Sequence, residues 1–358
     1  ATYNSVLTPL QSGEVVFEIY TYGSGCLRIN GEEVKRFRNT HGGRSLDYTL
    51  QVKAGVPYDI ELDFEYFRSD AQLNFDIGFK QKVNIDASVA CVKDADVVVF
   101  AGGISPLLEG EEMGVNLPGF RGGDRTDIEL PAVQRELIHA LHRAGKKIIL
   151  VNCSGSPIAL EPETKNCEAI LQAWYPGQAG GTAVADVLFG DYNPGGRLPV
   201  TFYRNMSQLP DFEDYNMTGR TYRYMTQQPL FPFGYGLSYT TFEYGNLSLT
   251  KEQIKVGEPL KLTVNVTNNG QRDGEEVVQV YLKKQDDAEG PGKTLRAFKR
   301  VRIPAGKSVE VVFDLNGKEL EWWDAQSNTM RVCAGRYDVM VGKSSQDRDL
   351  QRRSFVIE

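Results

Sequence analysis

Two continuous apolar runs, VVVF at residues 97–100 and IILV at residues 148–151, constrain the fold of this chain most strongly. Such runs are typical of parallel strands that helices cover on both faces, so we expect the strand of the first run to be buried on both faces. Between them, ELPAVQRELIHALHRAG predicts an amphipathic helix over residues 130–144. A third strand, EAILQAWY at residues 168–175, and a helix opening at GGTAVADVLFG follow. This alternation predicts an α/β unit with a mainly parallel sheet.

Both ends of the chain instead alternate apolar and polar residues, as in EVVFEIYTYG near the start and LKLTVNVTNNG near the end. This alternation, broken by NG, GG and AG turns, predicts antiparallel strands. We predict a β-sandwich-like module over residues 1–82, the α/β unit over residues 83–242, and an immunoglobulin-like or fibronectin type III-like β-sandwich over residues 243–358. The predicted fold class is multidomain α/β plus β, an α/β sandwich flanked by two β modules.

Composition argues against several classes of function. The chain of 358 residues has a formal net charge of −7 and no basic stripe, which argues against a nucleic-acid partner. No apolar run approaches the roughly 20 residues of a membrane-spanning helix, so we expect no membrane partner. The five cysteines form no C-x-x-C pair, and no phosphate-binding loop is present. We predict no cofactor and no metal, and the sequence indicates no oligomeric state.

A long connection from Gly102 to Arg125 follows the first buried strand. It far exceeds the usual two to six residues of a βα loop, so it is either disordered or built for binding. Ligands of open α/β sheets lie at the carboxyl ends of the strands, where this loop begins. Its glutamates, Glu109, Glu111 and Glu112, have two interpretations. They form a solvated surface cluster, or one of them is partly desolvated and acts as a general acid.

Four motifs follow one another along the chain: DADVVVFAGG, KKIILVNCSGSPIAL, AWYPGQAGGTAVADVLFGDYNPGGRLPVTFY and YRYMTQQPLFPFGYGLSYTTFEY. In this order they resemble the second, α/β-sandwich domain of glycoside hydrolase family 3, the family of β-glucosidases and β-xylosidases. The C-terminal module resembles the fibronectin type III-like domain of the same family. The resemblance covers residues from about 85 to 358.

The resemblance implies a catalytic acid/base glutamate in the long loop, shortly before an Asp-Arg pair. In this sequence the pair is Asp124 and Arg125, for which the resemblance suggests a structural role: an ion pair that fixes the exit of the loop. Comparison with the E-x-E spacing of xylosidase-like members favours Glu111 as the acid/base. Glu109 and Glu112 stay as alternatives, because the segment MGVNLPGFRGG lengthens the usual spacing.

Three residues of the AWYPGQ motif, Trp174, Tyr175 and Gln178, are candidates for the substrate entrance, because aromatic rings offer sugars a stacking face. The alternative interpretation is a core strand end followed by a tight turn, since aromatic residues dominate core burial.

The first module resembles a trimmed sugar-binding module of the protective-antigen type, which some family members insert within the second domain. Its turn reads TYGSG where acidic residues are usual, so a steric role at the active-site entrance is as well supported as sugar or calcium binding.

The resemblance also implies a nucleophilic aspartate on an N-terminal (β/α)8 barrel, which this sequence does not contain. We therefore interpret the chain as the C-terminal portion of an exo-acting, retaining β-glycosidase, closer to the β-xylosidases than to the β-glucosidases. Its expected partners are the missing barrel of the same protein and a β-linked oligosaccharide, and the expected location is secreted or periplasmic. We predict that the chain alone is inactive. The alternative is a non-catalytic carbohydrate-binding or assembly protein.

Overall fold

The computed structural model describes residues 1–38, 44–66, 71–79, 81–109, 115–122 and 124–358. Contacts divide the chain into two compact units. The first combines Ala1–Ala95 with Ser105–Asp127 and His139–Ala144. The second combines Asp96–Ile104, Ile128–Ile138 and Gly145–Glu358. None of the described helices is long and apolar enough to cross a membrane.

The first seven strands form a two-sheet sandwich with strand orders β1-β6-β3-β4 and β5-β2-β7. The strands are β1 (Thr2–Leu7), β2 (Gly13–Tyr22), β3 (Ser24–Ile29), β4 (Glu32–Phe37), β5 (Arg44–Val52), β6 (Tyr58–Glu65) and β7 (Gln72–Phe79). Alternate residues of β2, among them Val15, Phe17 and Ile19, are buried and share one core with Leu27 and Leu62 of the opposite sheet. The predicted N-terminal β-sandwich is confirmed.

The next part of the chain contains both strands and helices. The elements are α1 (Ile85–Cys91), β8 (Val97–Gly103), β9 (Asn116–Leu117), β10 (Phe120–Arg121), β11 (Asp124–Arg125), α2 (Ala132–Arg143), β12 (Lys147–Cys153), α3 (Glu163–Asn166), β13 (Ala169–Gln172), α4 (Gly180–Phe189) and α5 (Thr221–Tyr224). β12 pairs in parallel with β8 on one side and β13 on the other. The predicted parallel sheet is therefore confirmed, with strand order β13-β12-β8.

The expectation that the first apolar run is buried on both faces is wrong for β8, although the second run, in β12, is buried on both. In β12, Leu150 and Val151 are both buried although they point to opposite faces. In β8, Val97 is 45% exposed and Val99 is 51% exposed, whereas the alternate residues are half-buried. β8 is an edge strand among the described strands, where less of the chain covers the face that carries Val97 and Val99.

The last part of the chain is a second β-sandwich, as predicted. One sheet pairs β17 with β14, β15 and β20, and the other has the order β16-β24-β23-β18-β19. The elements are β14 (Phe242–Tyr244), β15 (Ser248–Leu249), β16 (Gln253–Ile254), β17 (Leu260–Asn268), β18 (Gly274–Lys284), β19 (Thr294–Ile303), β20 (Ser308–Leu315), α6 (Gly317–Leu320), β21 (Trp322–Asp324), β22 (Thr329–Arg331), β23 (Gly335–Gly342) and β24 (Leu350–Ile357). Alternate residues of β17 enter the core because successive side chains of a strand point to opposite faces.

A buried ion pair fastens the segment after α4 to the terminal sandwich. Arg197 Nη2 lies 2.9 Å from Glu276 Oε1, and their side chains are 7% and 2% exposed. The same carboxylate accepts a hydrogen bond from Val277 N at 2.7 Å. Burial raises the pKa of Glu276, and the neighbouring Arg197 guanidinium counteracts this rise. The contact joins two parts of the chain that the sequence assigns to different domains.

Replacing Arg197 by methionine is expected to lower the free energy of unfolding by about 3 kcal/mol at pH 7, because the Glu276 carboxylate stays buried without its partner. The folded-state pKa of Glu276 is then higher still and lies above the unfolded value of about 4.3, so the folded variant binds a proton more readily. Its stability deficit should therefore shrink as the pH is lowered from 7 toward 5. Urea denaturation at several pH values measures both effects, and a deficit independent of pH contradicts the explanation.

Candidate active site

The long acidic loop leaves the parallel sheet through a constrained glycine. Gly103, the last residue of β8, has φ +124°, and a Cβ atom there would lie 1.9 Å from the carbonyl oxygen of Cys153. The side chain of Gln134 binds both main-chain groups of Gly103, accepting from its N–H at 2.8 Å and donating to its carbonyl oxygen at 2.7 Å. Ile104 N then donates to Cys153 O at 2.9 Å. The origin of the loop is thus fixed by backbone contacts on β12 and by one glutamine of α2.

The described part of the loop contains regular secondary structure. Where it is described, it contains an antiparallel sheet of order β11-β10-β9, in which Phe120 is buried. Glu109 is half-buried, and its main-chain N–H donates to Ser105 O at 3.2 Å. The other two candidate glutamates, Glu111 and Glu112, lie outside the described residues. The assignment of the acid/base therefore stays a prediction.

Asp124 and Arg125 together form β11 and pair with β10. Asp124 is exposed and Arg125 is half-buried. The ion pair between these two side chains stays a prediction. Their backbone pairing nevertheless places them at the end of the loop, where the sequence assigns them a structural role.

The segment after β13 carries the predicted entrance residues. Trp174 is half-buried and has φ +56°, a left-handed conformation that costs a bulky residue about 1–3 kcal/mol. Its ring meets Phe202 edge-on, with the ring centroids 6.1 Å apart. Tyr175 is 37% exposed and Gln178 is also exposed. Three of the candidate residues therefore lie on one loop at the carboxyl end of the parallel sheet, before α4 begins at Gly180.

Sequence reasoning missed a buried group of polar side chains at the same edge of the sheet. Asn152 at the end of β12 donates to Gln172 Oε1 at 2.7 Å and to Ser154 Oγ at 3.2 Å. Gln172 Nε2 donates to Ser154 Oγ at 3.1 Å. Asn152 and Ser154 are fully buried. The available signal was the change from apolar to polar residues in IILVNCS, because a polar residue at the end of a buried strand needs partners.

Within the described part of the chain, no group of three or more His, Cys, Asp or Glu side chains is placed to hold a metal ion. The polar groups at the carboxyl edge of the sheet are amides and a hydroxyl, which donate and accept hydrogen bonds. Since Asn152 and Ser154 are fully buried and bond to each other and to Gln172, these groups hold the ends of β12 and β13 together.

Comparison with known proteins assigns the chain to a family. It matches the glycosyl hydrolase family 3 C-terminal domain over residues 10–239, which is more than half of its length. The chain belongs to glycoside hydrolase family 3. The chain also matches a fibronectin type III-like domain over residues 276–345, within the terminal sandwich. The family inferred from the order of motifs is confirmed.

Relatives of this family 3 chain include two named for xylosidase activity. A xylan 1,4-beta-xylosidase of Xylanibacter ruminicola is 48% identical over 100% of this chain and 41% of its own length. A beta-xylosidase of Formosa agariphila is 37% identical over 79% of this chain and 38% of its own length. The crystal structure of a beta-glucosidase from Kluyveromyces marxianus in complex with glucose has a TM-score of 0.77 at 27% identity, covering 100% of this chain and 44% of that one. The chain thus spans about two fifths of the length of these relatives.

Proposed function

We propose that this chain is the acid/base-bearing part of an exo-acting, retaining β-glycosidase that removes terminal sugars from β-linked oligosaccharides. The observation that carries the proposal is the family match over residues 10–239, which includes the loop that leaves β8 and the aromatic segment after β13. The relative named as a xylan 1,4-beta-xylosidase, which is matched over this whole chain, supports β-xylosidase as the activity of the parent protein.

The proposed chemistry needs two carboxyl groups about 5.5 Å apart, one a nucleophile and the other an acid/base. We assign the acid/base to Glu111, with Glu109 and Glu112 as alternatives. This group protonates the glycosidic oxygen as the nucleophile attacks, and later takes a proton from the water that releases the sugar. The nucleophile, which the family resemblance places on a barrel domain, is assigned to a part of the protein outside this chain.

In this proposal, Trp174, Tyr175 and Gln178 form one wall of the substrate entrance. The half-buried ring of Trp174 supplies an apolar face, and the exposed side chains of Tyr175 and Gln178 supply hydrogen-bonding groups. Gln134 contributes to the placement of the acid/base, because it fixes the end of β8, from which the glutamate-bearing loop leaves.

Reconstitution tests the proposed function. The chain alone is expected to give no turnover of an aryl β-xyloside, since one general acid provides only part of the rate enhancement. Mixing it with the separately expressed part of the Xylanibacter relative that this chain does not match is expected to restore hydrolysis, measured as released aryl alcohol. The part from the relative alone and the chain alone are the controls.

Two outcomes would contradict the proposal. Turnover by the chain alone would show that it holds both catalytic groups. Binding of xylo-oligosaccharides without turnover in the mixture, although the two parts associate, would favour the alternative of a non-catalytic carbohydrate-binding protein.

A further inference from the structure

Trp174 is held in a conformation that its own backbone disfavours. At φ +56° its Cβ crowds the neighbouring carbonyl group, and no bulky residue adopts this region without compensating contacts. Such strain persists only where the surroundings determine the conformation. The residues that surround Trp174 therefore identify what holds it.

Asn152 holds the strand end that leads into Trp174, and it does so through both its main chain and its side chain. Its carbonyl oxygen accepts from Ala173 N at 2.9 Å, and its amide nitrogen donates to Gln172 Oε1 at 2.7 Å. Ser154 Oγ accepts from the amide nitrogens of both Asn152 and Gln172, which closes a triangle of side chains. The two residues immediately before Trp174 are thereby fixed to β12.

The ring of Trp174 is held by contacts other than those that fix its backbone. It packs edge-on against Phe202, which is 1% exposed and itself packs edge-on against Phe231 with centroids 6.2 Å apart. The backbone before the ring and the ring itself therefore have independent supports. Both supports belong to the same compact unit of the chain.

The Asn152 amide is also costly to keep. Its Oδ1 atom is buried and has no hydrogen-bond partner among the described residues. A buried acceptor without a partner destabilises the fold, so the hydrogen bonds that the amide nitrogen donates to Gln172 and Ser154 must offset this cost. The amide at position 152 is therefore explained by the neighbouring side chains that its nitrogen holds in place.

We propose that Asn152 is a positioning residue, which fixes Trp174 in its left-handed conformation so that the indole forms a rigid wall for a sugar ring. The sugar part of this inference rests on the proposed function, whereas the positioning part does not. A ring fixed before the ligand arrives loses little conformational freedom on binding. Substituting Asn152 should thus weaken substrate binding more than it slows the chemical steps.

The positioning part is tested in the chain itself by ¹⁹F NMR with fluorinated tryptophan. The chain has three tryptophans, Trp174, Trp322 and Trp323, and the resonance lost in Trp174→Phe identifies the reporter. Asn152→Asp keeps the size of the side chain and removes both donated hydrogen bonds. It is expected to shift or broaden the Trp174 resonance and to leave the other two unchanged.

Asn268→Asp is the matched control. Asn268 is also fully buried, and its amide nitrogen donates twice, to Arg272 O at 2.7 Å and to Ile303 O at 2.9 Å, but it lies in the terminal sandwich. This variant carries a similar loss of buried hydrogen bonds and should leave the Trp174 resonance in place. An unchanged Trp174 resonance in folded Asn152→Asp overturns the inference. If that variant does not fold, Gln172→Leu, which removes one acceptor of the same triangle, is judged by the same criterion.

The sugar part is tested in the reconstituted enzyme. Asn152→Asp is expected to raise KM about tenfold while kcat changes less than about threefold, and the Asn152→Asp, Trp174→Ala double variant should be no worse than Trp174→Ala alone. The sugar part is overturned if Asn152→Asp instead lowers kcat about tenfold with KM unchanged. It is also overturned if the losses of the two single variants add in the double variant. If the unsubstituted mixture is inactive although its parts associate, the proposed function fails, and the NMR result still decides the positioning role.

Discussion

In the reconstituted enzyme, the Glu111→Gln variant is expected to lose about 10²–10⁴-fold in turnover of substrates with poor leaving groups. The amide cannot donate the proton that the glycosidic oxygen needs, and it cannot later accept one from water. The loss should be smaller for an activated aryl xyloside, whose leaving group needs little protonation. Turnover rates for a xylo-oligosaccharide and for a dinitrophenyl xyloside, compared across pH, measure the effect.

Azide provides the decisive comparison among the three glutamates. In Glu111→Ala, this small anion is expected to restore turnover by attacking the sugar without general-base assistance, giving a glycosyl azide. Glu109→Ala and Glu112→Ala are the matched controls, because each removes one carboxylate from the same loop. Rescue in one of these variants, and not in Glu111→Ala, would move the acid/base role to that residue.

Gly103→Ala is expected to destabilise the parallel sheet by upwards of about 4 kcal/mol, which places it among the largest single-residue effects. The added Cβ would lie 1.9 Å from Cys153 O and 2.8 Å from Cys153 C, and both atoms belong to the backbone of the paired strand. Such atoms cannot move aside as a flexible side chain does. β8 must therefore separate from β12 at its carboxyl end, and urea denaturation together with hydrogen exchange of the β12 amides measures the loss.

Two other glycines separate the contributions to that effect. Gly145 has φ +74° with no atom within 4 Å of an added Cβ, so Gly145→Ala reports conformational strain alone, about 1 kcal/mol. Gly177 has neither a positive φ nor a neighbour within that distance, and Gly177→Ala is expected to change stability by less than about 0.5 kcal/mol. If all three variants lose the same stability, close contact with β12 is not the reason that position 103 is glycine.

The sequence predicts the layers of this fold well because each layer has its own hydrophobic period. Alternating residues identified β2 and β17, and the continuous run IILV identified β12. The run VVVF likewise identified β8, but the expected burial of both faces of that strand is wrong. A continuous run reports that a strand is suited to burial on both faces, but the position of the strand in the sheet decides whether both faces are covered.

The place of the candidate segments in the fold was predictable in part, whereas their roles stay predictions. The family resemblance located the segment of Trp174 and Tyr175, because a motif carries its place in the fold with it. The left-handed backbone of Trp174 and the contact of Asn152 with Gln172 depend on how β12 and β13 come together. No local pattern encodes such contacts, since the two residues are far apart in the sequence and adjacent only in the sheet.

The exposed face and the unpaired edge of β8 have a practical consequence for handling the protein. Val97 and Val99 are exposed on one face, and β12 is the only described strand that pairs with β8. An edge strand with free backbone groups and apolar side chains is a template for pairing with another chain. We therefore expect the isolated chain to self-associate as its concentration rises. A lysine in place of Val99 should raise the concentration at which light scattering first increases.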